Sequence, residues 1–135
     1  MNKLKITLIA SALWTSVVSA APSCDGLIIR LRNNLLDDLL MTTNNLTGAA
    51  IQPKFFEKLK GKSEQILTIN GTSEEVPMAG EIVLYTITLP SRVIKIQYTL
   101  ENKLAYCEHT DKSIQSDYIV QKNRNIGEVQ YSINN

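Results

Sequence analysis

RNNLLDDLLMTTNNL (Arg32–Leu46) carries two secondary structures in one string. Leu35, Leu36, Leu39 and Leu40 fall at i, i+1, i+4 and i+5, the spacing of one helix face. The same letters read as strand, polar turn, strand. An amphipathic helix here would be an element able to seek a membrane or a partner groove, whereas a hairpin corner would be scaffold. A helix over 35–41 would have about two turns, and helices that short are marginal. Asn33-Asn34 is a turn signal directly behind an alternating segment, and the Thr/Asn-rich residues that follow favour extended or turn backbone. The stretch is therefore expected to be a strand ending near Asn33, a turn, and a second strand near Asp38–Thr43.

The surrounding sequence alternates with period two, which is the strand signature. LIIRLRN (27–33) sets Leu27, Ile29 and Leu31 against Arg30 and Arg32. VIKIQYTL (93–100) sets Ile94, Ile96, Tyr98 and Leu100 against Val93, Lys95, Gln97 and Thr99, and EVQYSIN (128–134) places Val129, Tyr131 and Ile133 together. EIVLYTITL (81–89) puts Val83, Tyr85, Ile87 and Leu89 on one face and leaves the other half apolar through Ile82 and Leu84. QILTIN (65–70) and DYIVQ (117–121) are shorter candidates. Pro90-Ser91-Arg92 and Glu101-Asn102-Lys103 read as tight turns, the latter before LAYCEH (104–109). A long polar loop follows Asn70-Gly71-Thr72, and Asn123 to Gly127 separates the last two strands. Seven or eight short strands at this spacing predict one all-β domain, an antiparallel β-sandwich with Ig-like, Greek-key connections.

The first twenty of the 135 residues read as a cleaved signal peptide. Lys3 and Lys5 form a basic start, Ile6 to Val18 is an apolar run, and Val18-Ser19-Ala20 offers small residues for cleavage. The run is shorter than the ~20 apolar residues of a spanning helix, which argues against an uncleaved anchor. A mature domain of residues 21–135 has 12 Lys+Arg against 13 acids and no tryptophan, since Lys3, Lys5 and Trp14 leave with the leader. That balance is no electrostatic footprint for nucleic acid. Cys24 could suggest lipidation, but Ala21-Pro22-Ser23 stand between it and the cleavage point. A disulfide between Cys24 and Cys107, the only two cysteines, is expected in an oxidising compartment. Closing so long a loop is worth on the order of 4 kcal/mol in the chain-entropy model.

Chemistry-bearing constellations are few. His109 is the only histidine. A Ser-His-Asp set can be assembled on paper from His109, Asp111 and a serine, but there is no nucleophile-elbow pattern. His109 lies in CEHTDK and is read as an exposed loop histidine. Glu108, His109 and Asp111 lack a second His or Cys ligand, so no metal or other cofactor is expected. Thr72-Ser73-Glu74-Glu75 lacks the spaced acids of a dedicated calcium loop. Gly61-Lys62-Ser63 has the end of a phosphate-binding loop, yet the position of its first glycine is Phe56. Asn45-Leu46-Thr47 and Asn70-Gly71-Thr72 match glycosylation sequons.

PKFFEKLKGK (53–62) is the segment that most suggests contact with something else. As a short helix after Pro53 it would gather Phe55, Phe56 and Leu59 on one side. Lys54, Lys58 and Lys62 would recur on the other, with Lys60 nearby and only Glu57 opposing them. Aromatic residues beside lysines suit an anionic lipid surface or an acidic partner. The plainer alternative is a cross-over segment whose phenylalanines plug the sandwich while the lysines are solvated.

The runs IIRLRNN (28–34), NNLTGAA (44–50) and GEIVLYTI (80–87) resemble small secreted β-sandwiches of the aegerolysin type over residues 27–88. That resemblance implies a β-sandwich that contacts membrane lipid. The lipid-facing tryptophans of that group have no counterpart in residues 21–135, so no residue role is carried over. The short leader and Asn/Ile/Lys-rich composition also resemble small exported bacterial proteins. The sequence thus predicts an exported, non-enzymatic binding protein, secreted or periplasmic, acting on a protein partner as an effector, virulence or envelope factor. A lipid-surface binder using residues 53–62 is the alternative, and a small hydrolase using His109 ranks last.

Overall fold

The computed structural model describes residues 21–135; the leader and its cleavage point lie outside the described residues. Ten strands follow in order: β1 (Ile28–Asn33), β2 (Leu39–Thr47), β3 (Ala50–Gln52), β4 (Lys58–Leu59), β5 (Ser63–Asn70), β6 (Met78–Thr86), β7 (Val93–Asn102), β8 (Cys107–Ser116), β9 (Ile119–Asn125) and β10 (Glu128–Asn134). They form two five-stranded sheets, β3-β5-β1-β10-β9 and β4-β2-β6-β7-β8. We call these the β1 sheet and the β2 sheet. Their inner faces share one hydrophobic core, a sandwich-like arrangement. The strand count exceeds the expected seven or eight because β3 and β4 are too short to show an alternating pattern.

Among the described residues there is no helix, and the opening stretch is a corner. Asn33 ends β1 with its side chain fully buried, and its Oδ1 accepts the Leu35 N–H at 3.0 Å. Its Nδ2 donates to the carbonyls of Asp37 (2.8 Å) and Leu59 (3.1 Å). One amide therefore closes the turn and ties it to β4. Leu35 and Leu39 enter the core while Leu36 stays exposed, so the four leucines do not share a face.

Where one face is polar, the inner face is the expected one: Leu27, Ile29 and Leu31; Ile94, Ile96, Tyr98 and Leu100; Val129, Tyr131 and Ile133 are all buried. The all-antiparallel expectation fails at one pair. β1 and β10 run parallel, Ile29 opposite Val129 and Leu31 opposite Tyr131, which seats the first and last strands side by side. On β6 the core takes Met78, Gly80, Ile82, Leu84 and Thr86, and Val83 and Tyr85 face outward. β8 begins only at Cys107 because 103–106 form the turn, and β9 runs on to Asn125.

Cys24 and Cys107 are joined, S–S 2.03 Å, fixing the start of the described chain to β8. The neighbouring Asn102 accepts the Cys24 N–H at 2.7 Å, and Asp25 accepts both the N–H and the hydroxyl of Thr72. This polar cluster holds one end of the fold.

Candidate functional site

From Ile82 to Tyr85, β6 is apolar on both faces, and only one of them is used by the core. Antiparallel sheets with a solvent face ordinarily make that face polar. Register pairs Leu40 of β2 with Tyr85 of β6, and Tyr85 with Val93 of β7. Directly opposed residues project from the same face, so Leu40, Tyr85 and Val93 form an outward apolar row across three strands. The next row places Val83 between Thr43 and Lys95, and the one beyond holds Asn45, Glu81 and Gln97. That far end is polar and internally paired, with Glu81 accepting from Gln97 at 2.7 Å and facing Lys95 at 3.6 Å.

The apolar row continues into the loop 87–92, where Ile87 is 64% and Leu89 97% exposed. The base of this loop is fixed. Thr86 donates its backbone N–H to the Arg92 carbonyl at 2.9 Å and accepts the Arg92 N–H on Oγ1 at 3.0 Å. Ser91 Oγ donates to the Thr86 carbonyl at 2.8 Å. Beside the loop lies a groove of about 620 Å³ lined by Leu35, Leu36, Lys62, Leu89, Arg92 and Tyr118, among others. Arg92 rests over the Tyr118 ring, 5.4 Å from its centroid. Apolar tips held out by a rigid base, with cations at the rim, make a surface suited to docking. Covering a Leu or Ile side chain is worth about 1.5–3 kcal/mol.

Residues 53–62 are not a helix. The segment crosses from β3, at the edge of one sheet, to β4, at the edge of the other, and Asn44 Nδ2 donates to the Pro53 carbonyl at 3.1 Å. β4 pairs Lys58 and Leu59 with Leu40 and Leu39, which strand backbone permits and helix does not. Leu59 is buried, Phe56 packs against the core, and Phe55 is 64% exposed. The two phenylalanines therefore part company. Lys58 faces Asp38 at 3.8 Å, and Lys62 Nζ donates to the Asn34 carbonyl at 2.7 Å. Lys54 and Lys60 are exposed and have no ion pair among the described residues.

His109 is not an exposed loop residue: it lies within β8, only 9% exposed. Counting in twos from Cys107 would have placed it inward with Asp111, but the polar letters of CEHTDK hide that period. Its Nε2 lies 2.9 Å from the Tyr131 hydroxyl, which in turn donates to Asp111 Oδ1. Lys122 Nζ lies 3.3 Å from His109 Nδ1 and 3.1 Å from Asp111 Oδ2. One proton assignment satisfies every contact: Lys122 donates to Nδ1 and Asp111, neutral His109 donates from Nε2 to Tyr131, and Tyr131 donates to Asp111. Burial, then the Lys122 charge, lowers the His109 pKa to about 4, against an opposing pull from Asp111. Burial pushes the Tyr131 phenol far up, assisted by Asp111. With both imidazole nitrogens engaged in the ring, and no serine hydroxyl bonded to either among the described residues, the paper triad is not assembled.

The polar loop after β5 is likewise occupied with itself. Thr72 is held by Asp25, and Ser73 Oγ accepts the N–H groups of Glu75 and Val76. No protein family matches the chain, and no curated protein is similar to it.

Proposed function

We propose that this chain is an exported, non-enzymatic binding protein, secreted or periplasmic, whose partner is a protein that covers the outer apolar row of the β2 sheet and the loop 87–92. The observation that carries the reading is the row itself: Leu40, Tyr85 and Val93 face outward and lead to exposed Ile87 and Leu89 on a pinned loop. The Cys24–Cys107 bond supports export, because such bonds persist in oxidising compartments. A role as a bacterial effector or envelope factor is the setting in which such a surface meets a partner. The test is a photo-crosslinking residue placed at Leu89 and, as a control, at Gln121 on the other sheet, in cells that export the protein. A discrete protein adduct from position 89 and none from 121 supports the reading. Equal adducts at both positions, or none, reject it.

A second reading rests on a separate observation, the exposed Phe55 between the unpaired Lys54 and the rest of the cationic segment. It makes the chain a lipid-surface binder. A lysine near an anionic membrane contributes about 1 kcal/mol, so Lys54 and Lys60 add less than burial of Ile87 and Leu89 would. Co-sedimentation with anionic and neutral vesicles at two salt concentrations separates the readings. Salt-sensitive binding to anionic vesicles, abolished by Lys54→Glu with Lys60→Glu, favours lipid, and no binding removes it.

A further inference from the structure

The two long edges of the fold, β8 and β9, lie side by side with no backbone pairing between them. Among the described residues β8 pairs only with β7, and β9 only with β10. The opposite seam is bridged by the cross-over 53–57, with Phe56 packed against the core, whereas between its ends this one is held by side chains. It is fastened at one end by the Cys24–Cys107 bond and by Arg124 Nη2, which donates to the Cys107 carbonyl at 2.6 Å. At the other end β8 and β9 are joined by the two-residue turn Asp117-Tyr118. Between these fastenings the polar ring supplies the side-chain hydrogen bonds and ion pair across the seam among the described residues, beside Val120 of β9, which packs against the core.

We propose that the His109–Tyr131–Asp111–Lys122 ring is an acid-released latch that holds the two sheets together along the β8/β9 seam. The ring closes only while Nδ1 has a free lone pair for Lys122. A second proton on the imidazole turns that nitrogen into a donor facing an ammonium, so the His109–Lys122 contact becomes repulsive, Lys122 is left with its Asp111 ion pair alone, and the positive charge lies inside the fold. The groups facing His109 are Tyr98 from β7, stacked at 5.3 Å between centroids, Asp111 from β8, Lys122 and Arg124 from β9, and Tyr131 from β10. Lys122 and Arg124 oppose a second charge, while Asp111 and a backbone hydrogen bond favour it. The stacked Tyr98 face offers only a weak cation–π attraction, and its buried hydroxyl has no hydrogen-bond partner among the described residues. Release lets the middle of the seam part while both ends stay fastened, so the expected change is local opening and not unfolding.

Hydrogen exchange on the oxidised protein reads this directly. From pH 7 to pH 4, after correction for intrinsic rates, amides of β8 and β9 should lose protection on the order of a hundredfold more than those of β1 and β5, since each unit of pKa separation is tenfold in the closed-to-open ratio. His109→Gln keeps a donor toward Tyr131 but does not titrate, so its β8 and β9 protection should stay level with β1 and β5. Loss confined to no strand, or an equal loss in His109→Gln, overturns the latch and assigns acid sensitivity to the carboxylates. Because the chain has one histidine, its imidazole signal can be followed by NMR in the unaltered protein even if the variant does not fold. A midpoint well below 6.5 that coincides with the loss of β8 and β9 protection supports the latch; a midpoint at or above 6.5 overturns it.

Discussion

Asn33→Ala should destabilise the oxidised protein by about 3 kcal/mol. The side chain is fully buried and makes three hydrogen bonds, to Leu35 N–H and to the carbonyls of Asp37 and Leu59. Each is worth about 1 kcal/mol net, and the backbone groups left without partners add to the cost where water cannot reach them. Asn33→Asp should be worse at neutral pH. It keeps an acceptor for Leu35 but replaces the amide donor with a carboxylate oxygen aimed at two carbonyls. Acidifying the solution protonates that carboxyl and should narrow the gap between the Asp and Ala variants. The control is Asn34→Ala, which removes two part-buried side-chain contacts, to Asn134 and from Arg32 Nε, both at 2.9 Å, leaves no backbone group without a partner, and should cost about 1 kcal/mol or less. Urea unfolding followed by circular dichroism, without reductant, gives the three values. A domain holds about 5–15 kcal/mol in all, so 3 is easily resolved. If Asn33→Ala and Asn34→Ala fall within about 0.5 kcal/mol of each other, the corner is not organised by Asn33 and the reasoning fails.

Replacing both Cys24 and Cys107 with serine should cost about 4–5 kcal/mol from a loop of 83 residues, read as a lower urea midpoint that reductant no longer changes. Gly80→Ala should cost at least about 2 kcal/mol, because its Cβ would lie 2.2 Å from Tyr98 Cζ; adding Tyr98→Leu should restore part of the loss, and simple additivity would refute the clash. Stability should also depend on pH through His109. Its folded pKa of about 4 lies below the ordinary 6.5, so the unfolded chain binds more protons. The contribution is complete above pH 6.5 and is lost as pH falls through 4, up to about 3 kcal/mol. The difference between the unaltered protein and His109→Gln isolates that slope from the carboxylates, and parallel curves would contradict it.

How much was legible in the sequence depended on contrast between faces. Arg30 and Arg32 mark the outside of β1, and Lys95 and Gln97 that of β7, so those inner faces follow from alternation. β6 has no such contrast: its core face includes Gly80 and Thr86, and its outward face carries Val83 and Tyr85. Only the register with β2 and β7 decides between them, and that register lies far away in sequence. The candidate surface was therefore visible as a set of residues but not as a surface. The corner at Asn33-Asn34 was legible as a turn, though not that the first amide sits in the core. Phe55, Phe56 and Leu59 have helical spacing, but a cross-over between two sheet edges needs extended backbone and sends adjacent side chains opposite ways. His109 was misplaced because three of the side chains that satisfy it, Tyr98, Lys122 and Tyr131, come from other strands.

The most direct test of the binding surface is Tyr85→Lys, measured for both stability and contact. Tyr85 is outside the core, so its replacement should leave the unfolding free energy within about 0.5 kcal/mol of the unaltered protein and abolish the adduct formed from a crosslinker at Leu89. A large fall in stability with the adduct intact would make the outer row part of the scaffold and contradict the account.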